Sequence, residues 1–325
     1  MPSIQVARCW YETHSGTKHA GSPLRGPVVV RRATGCVVPV KRALHKISGR
    51  RWKPPKPNRR WQDNPQFATY FNDQICTEFE GGNHGALRKA AGGRALPRAV
   101  SVGSGTAHGE RELVEKGLVE HFDLYEVSAD RIEQSRQLAA EAGMSDNFDE
   151  HLSDAFEEDI VERYDLVFWL AALHHMFDVD QAMAWSVRAL KPGGILLISE
   201  YIGPTRLQWS KAEVQQVRQF LRDNRDLIGV DPKRVRAGTL FRRFKQFLRD
   251  PSEAPQSDLI ADAYEKHTGQ KLTVLGGSAI HLCGGFVTGL EHRDPAIHDR
   301  VIELDQTLRD QGHSHFGFGL WQKPT

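Results

Sequence analysis

Between residues 98 and 200, short apolar runs alternate with segments in which apolar residues repeat every three or four positions. The short runs predict strands, and the periodic segments predict helices with one apolar face. Because the predicted strands are apolar throughout, they favour a parallel sheet covered by helices on both faces. The predicted strands span 98–103, 122–127, 164–170 and 195–200, and the predicted helices include 109–117 and 129–142. We therefore predict an α/β fold with a Rossmann-like, doubly wound, mostly parallel sheet.

The pattern changes after the last of these strands. Ser210 and Glu213 have the spacing of a capping box, and apolar residues then repeat at helical intervals. The segment 204–257 contains 12 basic and 6 acidic residues. We predict that this segment is a helical insertion that forms a lid over the binding site. Two further strands are predicted at 271–275 and 316–322.

Charge divides the chain into two regions. Residues 1–60 contain 14 Lys and Arg residues and one acidic residue, whereas residues 61–325 contain 29 basic and 40 acidic residues. We predict a basic, flexible N-terminal extension at 1–60 and one folded domain at 61–325. The extension suits contact with nucleic acid or anionic lipid, and a transit peptide or an upstream start codon are further interpretations.

Composition also indicates the cellular compartment of the protein. The longest clean apolar run, 166–173, has eight residues, whereas a membrane-spanning helix needs about 20. The four cysteines are scattered and form no C-x-x-C pair, which fits a reduced compartment and argues against a disulfide scaffold or a zinc finger. We therefore expect a cytoplasmic protein without a transmembrane segment.

Candidate binding residues lie at the carboxyl ends of the predicted strands, where open parallel sheets bind their ligands. Gly103 and Gly105 follow the first strand, and glycine there lets the backbone turn tightly and approach a ligand closely. Glu126 ends the second strand, where a carboxylate can accept hydrogen bonds from ribose hydroxyls. Asp154 follows a predicted third strand and can either accept from an adenine amino group or cap the next helix.

Five segments in fixed order carry a family resemblance. They are Val100-Ser101-Val102-Gly103-Ser104-Gly105-Thr106, Leu124-Tyr125-Glu126, Ser153-Asp154-Ala155, the pair formed by 164–167 and Leu173-His174-His175, and 188–194. Together they resemble the class I S-adenosylmethionine-dependent methyltransferases over about 65–203. Residues 200–204 with Gln208-Trp209 resemble a bacterial branch of small-molecule and glycan-associated methyltransferases.

The resemblance implies a seven-stranded sheet with an antiparallel last strand, and S-adenosyl-L-methionine as cofactor. The residues that match the family's cofactor-binding positions are Ser101, Gly103, Ser104, Gly105, Glu126, Val127, Asp154, Ala155 and Leu170. The sequence departs from the family at two positions: the family usually has an acid where Ser101 stands and a third glycine where Ala107 stands. The first departure concerns orientation of the methionine end of the cofactor.

The resemblance further implies methyl transfer to a small-molecule or sugar acceptor, and we expect O-methylation. A hydroxyl acceptor benefits from a general base, a role that suits histidine. His174 and His175 follow the fourth strand and are the predicted catalytic residues, although both can instead cap that strand structurally. Glu200, Tyr201 and Trp209 are predicted substrate contacts, with core packing as the alternative for Trp209.

Other functions remain open at this point. A nicotinamide dehydrogenase would need a glycine where His108 stands. An RNA methyltransferase could use the basic extension, and a non-catalytic binding protein could retain the fold, given the departures at Ser101 and Ala107. No metal site is predicted, because His174 and His175 are adjacent and the histidines near residue 314 lack partners at ligand spacing.

Overall fold

Seven strands form one mixed sheet in the computed structural model, which describes residues 60–325. The strand order is β3-β2-β1-β4-β5-β7-β6. Strands β1 to β5 pair in parallel, and β7 runs antiparallel to both of its neighbours. The strands are β1 (Ala99–Val102), β2 (Phe122–Tyr125), β3 (Phe148–His151), β4 (Tyr164–Leu170), β5 (Leu190–Tyr201), β6 (Thr273–Gly277) and β7 (Ser314–Gln322). The predicted doubly wound sheet with an antiparallel last strand is confirmed.

Eleven α-helices of the described residues connect these strands. They are α1 (Pro65–Ile75), α2 (Gly82–Ala90), α3 (His108–Glu115), α4 (Ala129–Glu141), α5 (Val179–Ala189), α6 (Lys211–Asp223), α7 (Arg225–Ile228), α8 (Leu240–Arg249), α9 (Ile260–Thr268), α10 (Gly285–Val287) and α11 (Ile297–Asp310). The segment 204–257, predicted as a helical insertion, contains α6, α7 and α8. The predicted extension at 1–60 lies outside the described residues, apart from Arg60. Among residues 60–325, no helix is long and apolar enough to cross a membrane.

The sheet is buried on both faces. Along β4, Leu166 and Phe168 pack in one apolar cluster, whereas Val167 and Trp169 pack in a second. Successive strand residues point to opposite faces, so each cluster lies on its own side of the sheet. Trp169 is fully buried and donates a hydrogen bond to Ser186 at 2.9 Å. The strands are apolar throughout because both of their faces are buried, as the sequence predicts.

Local signals fix the ends of several elements. The Asn64 side chain accepts hydrogen bonds from the first backbone N–H groups of α1, and Ser210 and Glu213 form the predicted capping box at α6. The sequence predicts a turn at 191–194 before the fifth strand, but β5 already begins at Leu190. Gly193 has a φ of +77° and lies within this strand, so the glycine bend distorts the strand start instead of preceding it.

Candidate active site

The loop after β1 depends on left-handed backbone conformations. Gly103 and Gly105 have φ values of +70° and +61°, a region that disfavours residues with a side chain. A Cβ added to Gly103 would lie 3.5 Å from the Cβ of Ala172, at the end of β4. Ala107, where the family usually has its third glycine, also has a positive φ of +54°. The sequence departs from the family here, but the backbone keeps the glycine conformation.

Glu126 joins this loop to the end of β2. Its Oε2 accepts from the Gly105 N–H at 3.0 Å, and its Oε1 accepts from the Val127 and Ser128 N–H groups at 2.8 and 2.9 Å. The residue is 5 % exposed. A carboxylate oxygen has two lone pairs, so Oε2 retains capacity for a ligand hydroxyl. Glu126 thus has the position predicted for it, and Val127 lies half-buried beside it.

A buried carboxylate lies beside the serine in β1. The Ser101 hydroxyl donates to Oε1 of Glu110 at 2.5 Å, and both residues are buried. Burial raises the pKa of Glu110 above its ordinary value, and the hydrogen bond from Ser101 partly opposes that shift. A carboxylate from the first turn of α3 therefore lies next to the position at which the family usually has an acid. Sequence reasoning missed Glu110, although its position in the helix that follows the glycine loop was a usable signal.

The remaining predicted cofactor residues differ in their surroundings. Ser104 Oγ is buried and has no hydrogen-bond partner within the described chain. Asp154 accepts from the Phe156 N–H at 3.0 Å and caps a short 3-10 helix that begins at the fully buried Ala155. Leu170 packs tightly on Gly109 of α3, since a Cβ added to Gly109 would lie 2.3 Å from Cδ2 of Leu170. An orphaned hydroxyl in an open glycine loop beside Glu126 fits a polar cofactor.

His174 and Glu200 form a buried pair at the ends of β4 and β5. Nδ1 of His174 lies 2.7 Å from Oε2 of Glu200, and the residues are 8 % and 2 % exposed. Oε1 of Glu200 accepts from the Ala172 and Leu173 N–H groups at 2.5 and 2.6 Å, and Oε2 also accepts from the Tyr201 N–H at 3.2 Å. Glu200 was predicted to contact substrate, but its oxygens are occupied by protein groups. The structure places it behind His174, where it orients the ring.

The charge of this pair determines the protonation of His174. Burial disfavours the imidazolium, but the attraction and hydrogen bond of Glu200 outweigh burial and raise the pKa of His174 above its ordinary 6.5. Glu253 is also close enough to attract His174, and burial raises the pKa of Glu253. His174 is therefore a strengthened base whose Nδ1 is fixed by Glu200.

His175 has a different partner. Its Nδ1 lies 2.9 Å from the carbonyl oxygen of Ser252, in the loop that follows α8. Its ring centroid lies 4.2 Å from that of His174, with the planes tilted by 38°. Because a carbonyl oxygen only accepts, Nδ1 of His175 carries the proton. His175 thus connects the insertion to the histidine pair, whereas His174 has the carboxylate.

A second histidine cluster was missed from the sequence. His315 Nε2 lies 3.1 Å from Oε2 of Glu213, and His315 Nδ1 lies 3.1 Å from Nδ1 of His281. His281 is only partly exposed, and burial, followed by repulsion from His315, lowers its pKa to about 3. His281 is therefore neutral near pH 7.

Tyr201 joins the two histidine groups. Its ring centroid lies 6.0 Å from that of His174, 5.5 Å from that of His281 and 5.6 Å from that of His315. The ring centroids of Trp209 and His315 lie 6.3 Å apart in a stacked arrangement. The structure therefore brings the predicted residues Tyr201 and Trp209 together around imidazole rings from the 3-10 helix after β4, from β7 and from the π-helix Ile280–Gly284.

A family model described as a methyltransferase domain matches residues 100–196. This segment contains the glycine loop, Glu126 and His174. The sheet order, with an antiparallel β7, agrees with the match. This segment of the chain therefore resembles a methyltransferase domain.

Solved structures with a similar fold share little sequence with this chain. A protein from Galdieria sulphuraria, assigned as a sarcosine dimethylglycine methyltransferase, is 17 % identical, with a TM-score of 0.43 and coverage of 73 % of this chain and 81 % of its own. The (4+2)-cyclase SpnF is 15 % identical, with a TM-score of 0.43 and coverage of 82 % and 97 %. Phosphoethanolamine N-methyltransferase 2 of Haemonchus contortus, in complex with S-adenosyl-L-methionine, is 14 % identical, with a TM-score of 0.46 and coverage of 83 % and 60 %. No curated protein matches the sequence.

Proposed function

We propose that this chain binds S-adenosyl-L-methionine beyond the carboxyl ends of β1 and β2 and transfers its methyl group to a hydroxyl of a small-molecule or sugar acceptor. The observation that carries the proposal is the buried pair of His174 and Glu200, 2.7 Å apart, at the end of β4. Gly103 of the glycine loop faces Ala172 at the same strand end. This arrangement supports the proposal that His174 acts as a base next to the loop that binds the cofactor.

Four residues hold the cofactor in this proposal. Glu126 accepts hydrogen bonds from the ribose hydroxyls through the remaining capacity of Oε2. Gly103 and Gly105 let the backbone approach the cofactor without a side chain in between. The orphaned Ser104 hydroxyl then gains the partner that it lacks within the described chain. When bound, S-adenosyl-L-methionine supplies a methyl group on a positively charged sulfur.

His174 is the general base of the proposed reaction. Glu200 holds Nδ1–H, so Nε2 is the nitrogen that takes the proton of the acceptor hydroxyl. With the cofactor bound, loss of this proton to His174 would make the acceptor oxygen nucleophilic toward the methyl group that the cofactor supplies. Neutral His281 forms a hydrogen bond through Nε2 with a second polar group of the acceptor. Positioning and exclusion of water are the main contributions of the chain.

The insertion covers this chemistry from one side. The Ser252 carbonyl receives the hydrogen bond of His175, and Arg206 donates to the Pro251 carbonyl. The loop between α8 and α9 is thereby held against the end of β4. The contacts of this loop support the proposal that 204–257 closes the acceptor pocket.

Titration calorimetry with S-adenosyl-L-methionine tests the cofactor site. Glu126→Ala is expected to weaken binding at least tenfold, or about 1.4 kcal/mol, because ribose hydrogen bonds are lost. The matched control is Glu133→Ala, an exposed glutamate on α4 that should leave the affinity unchanged. Failure of the folded wild type to bind the cofactor would contradict the proposal and favour a non-catalytic binding protein.

A further inference from the structure

Helix α8 (Leu240–Arg249) separates apolar and basic side chains onto opposite faces. At 100° per residue, the five apolar side chains fall within an arc of about 120°. They are Leu240, Phe241, Phe244, Phe247 and Leu248. The four basic side chains occupy the rest of the circumference with Gln246, and no acidic residue is present. They are Arg242, Arg243, Lys245 and Arg249.

The apolar face of α8 is largely uncovered by the described chain. Leu240 is 86 % exposed, Phe241 75 %, and even the least exposed of the five, Phe247, is 46 %. Half of the ten strongly exposed large apolar side chains of residues 60–325 lie on this one helix. Single exposed apolar residues need no explanation, but a contiguous patch of this kind marks an interaction surface.

Positive charge predominates around α8. Arg249 attracts Glu253 and Asp250 directly follows the helix, but the helix itself has four basic and no acidic side chains. A groove beside the helix is lined by Lys211, Arg218, Arg236 and Arg242. Burial, followed by repulsion from Arg236 and Arg218, lowers the pKa of Arg242, so these cations lie close together. The surface therefore attracts anions next to an exposed apolar stripe.

We propose that α8 binds the surface of an anionic lipid bilayer, with its Leu and Phe side chains among the acyl chains and its Arg and Lys side chains at the lipid phosphates. A short helix with an aromatic and aliphatic face and a basic face lies in the plane of such an interface. Juxtamembrane basic residues add electrostatic attraction to anionic headgroups. The groove next to α8 supplies further cations for the same headgroups.

Charge favours an anionic bilayer at α8 over two other partners, residues 1–60 and a second copy of the chain. Residues 1–60 carry 14 basic residues and one acidic residue, so the extension would bring like charge to α8. A second copy that covered the helix with its own α8 would likewise bring the same cations together. An anionic bilayer supplies both the negative charge and the apolar layer that the two faces require.

The location of α8 gives bilayer binding a consequence for the site. Phe247 packs against the Arg206 guanidinium, whose centre lies 5.5 Å from the ring centroid. The chain then enters the loop that contacts His175 through Ser252. A bilayer bound at α8 therefore contacts the insertion 204–257, which closes the acceptor pocket in the proposed function. The proposal does not depend on methyl transfer, because bilayer binding is measured without cofactor or acceptor.

Vesicle co-sedimentation of the full chain tests the proposal. The probes are phosphatidylcholine vesicles with and without phosphatidylglycerol, at low and high salt. We expect the wild type to bind the phosphatidylglycerol vesicles and Phe241→Ser/Phe244→Ser to bind them at least tenfold more weakly. The matched control, Leu259→Ser/Val274→Ser, replaces two exposed apolar residues elsewhere and should bind like the wild type. Lys245→Gln/Arg249→Gln should weaken binding and its dependence on salt.

Four outcomes would overturn the proposal. In the first, the wild type does not bind anionic vesicles. In the second, the α8 variant and the control variant bind equally, which would assign the attraction to residues 1–60. The third outcome is a dimer in light scattering that Phe241→Ser/Phe244→Ser converts to a monomer with vesicle binding unchanged, which would make α8 an interface between copies. Binding of RNA that competes with vesicles and depends on Lys245 and Arg249, but not on Phe241 and Phe244, would instead indicate a nucleic-acid surface.

Discussion

The two sides of the candidate site are formed by different kinds of chemical group. On the side of β1 and β2, backbone groups dominate: Glu126 accepts three backbone N–H groups, and the loop depends on the positive φ values of Gly103 and Gly105. On the side of β4, β5 and β7, buried side chains that can ionise contact one another, as His174 does Glu200. Substitutions on the first side should therefore act through backbone conformation, and substitutions on the second side through charge.

The largest expected effect is on the charged side. His174→Ala should lower methyl transfer by a hundredfold or more, because general bases contribute about 10²–10⁴-fold. Binding of S-adenosyl-L-methionine should remain, since the cofactor contacts belong to the other side of the site. The measurement is transfer of labelled methyl groups to an acceptor found by screening, combined with calorimetry of cofactor binding.

His175→Ala is the matched control for this variant. Nδ1 of His175 contacts the Ser252 carbonyl, so loss of His175 should reduce transfer only by loosening the lid. The pH profile adds a second readout: transfer by the wild type should rise with pH through the raised pKa of His174, where the ring becomes neutral. Equal activity of His174→Ala and wild type would contradict the assignment of the base.

The second largest effect concerns stability. Glu213 is 1 % exposed and holds both Ser278, at 2.8 Å, and His315, at 3.1 Å. Burial would raise its pKa, but hydrogen bonding and attraction to His315 outweigh burial and lower the pKa below its ordinary 4.5. Glu213→Ala should cost about 3 kcal/mol of unfolding free energy, because it leaves buried polar groups without a partner. Urea unfolding measures this loss.

The sign of the pH dependence follows from the same pKa. The stabilisation from Glu213 is present above the pKa of 4.5 of the unfolded chain and disappears as the pH falls through the lower pKa of the folded state. Glu213→Ala should therefore lose less stability on acidification than the wild type does. Glu303→Ala, at an exposed position on α11, should stay within about 0.5 kcal/mol of the wild type. A wild-type-like urea midpoint for Glu213→Ala would contradict the buried cluster.

This division also explains what the sequence could predict. Gly103, Gly105 and Glu126 were found because a strand and the turn after it determine backbone conformation over a few neighbouring residues. The cluster around Glu213 was missed because it joins residues far apart in the chain: Glu213 and His315 are separated by 102 positions. The positioning role of Glu200 was missed for the same reason, since only the pairing of β4 with β5 brings it behind His174.

The backbone side of the site gives the smallest expected effect, at Ala107. A left-handed conformation costs an alanine about 1–2 kcal/mol, and Ala107→Gly would remove that cost. The substitution also loses a buried methyl group, worth about 0.8 kcal/mol, because Ala107 is 1 % exposed. The net result should be unchanged stability or a gain of up to about 1 kcal/mol.

Ala140→Gly provides the contrast that makes this small effect measurable. Ala140 lies exposed in the right-handed helix α4, where glycine costs about 1 kcal/mol. Both substitutions add the same freedom to the unfolded chain, so the difference between their urea midpoints reports the folded conformations alone. If Ala107→Gly is destabilised as much as Ala140→Gly, the backbone at Ala107 is not left-handed in solution. A clear difference of the expected sign means that the loop after β1 keeps the glycine conformation of its family despite the alanine in its sequence.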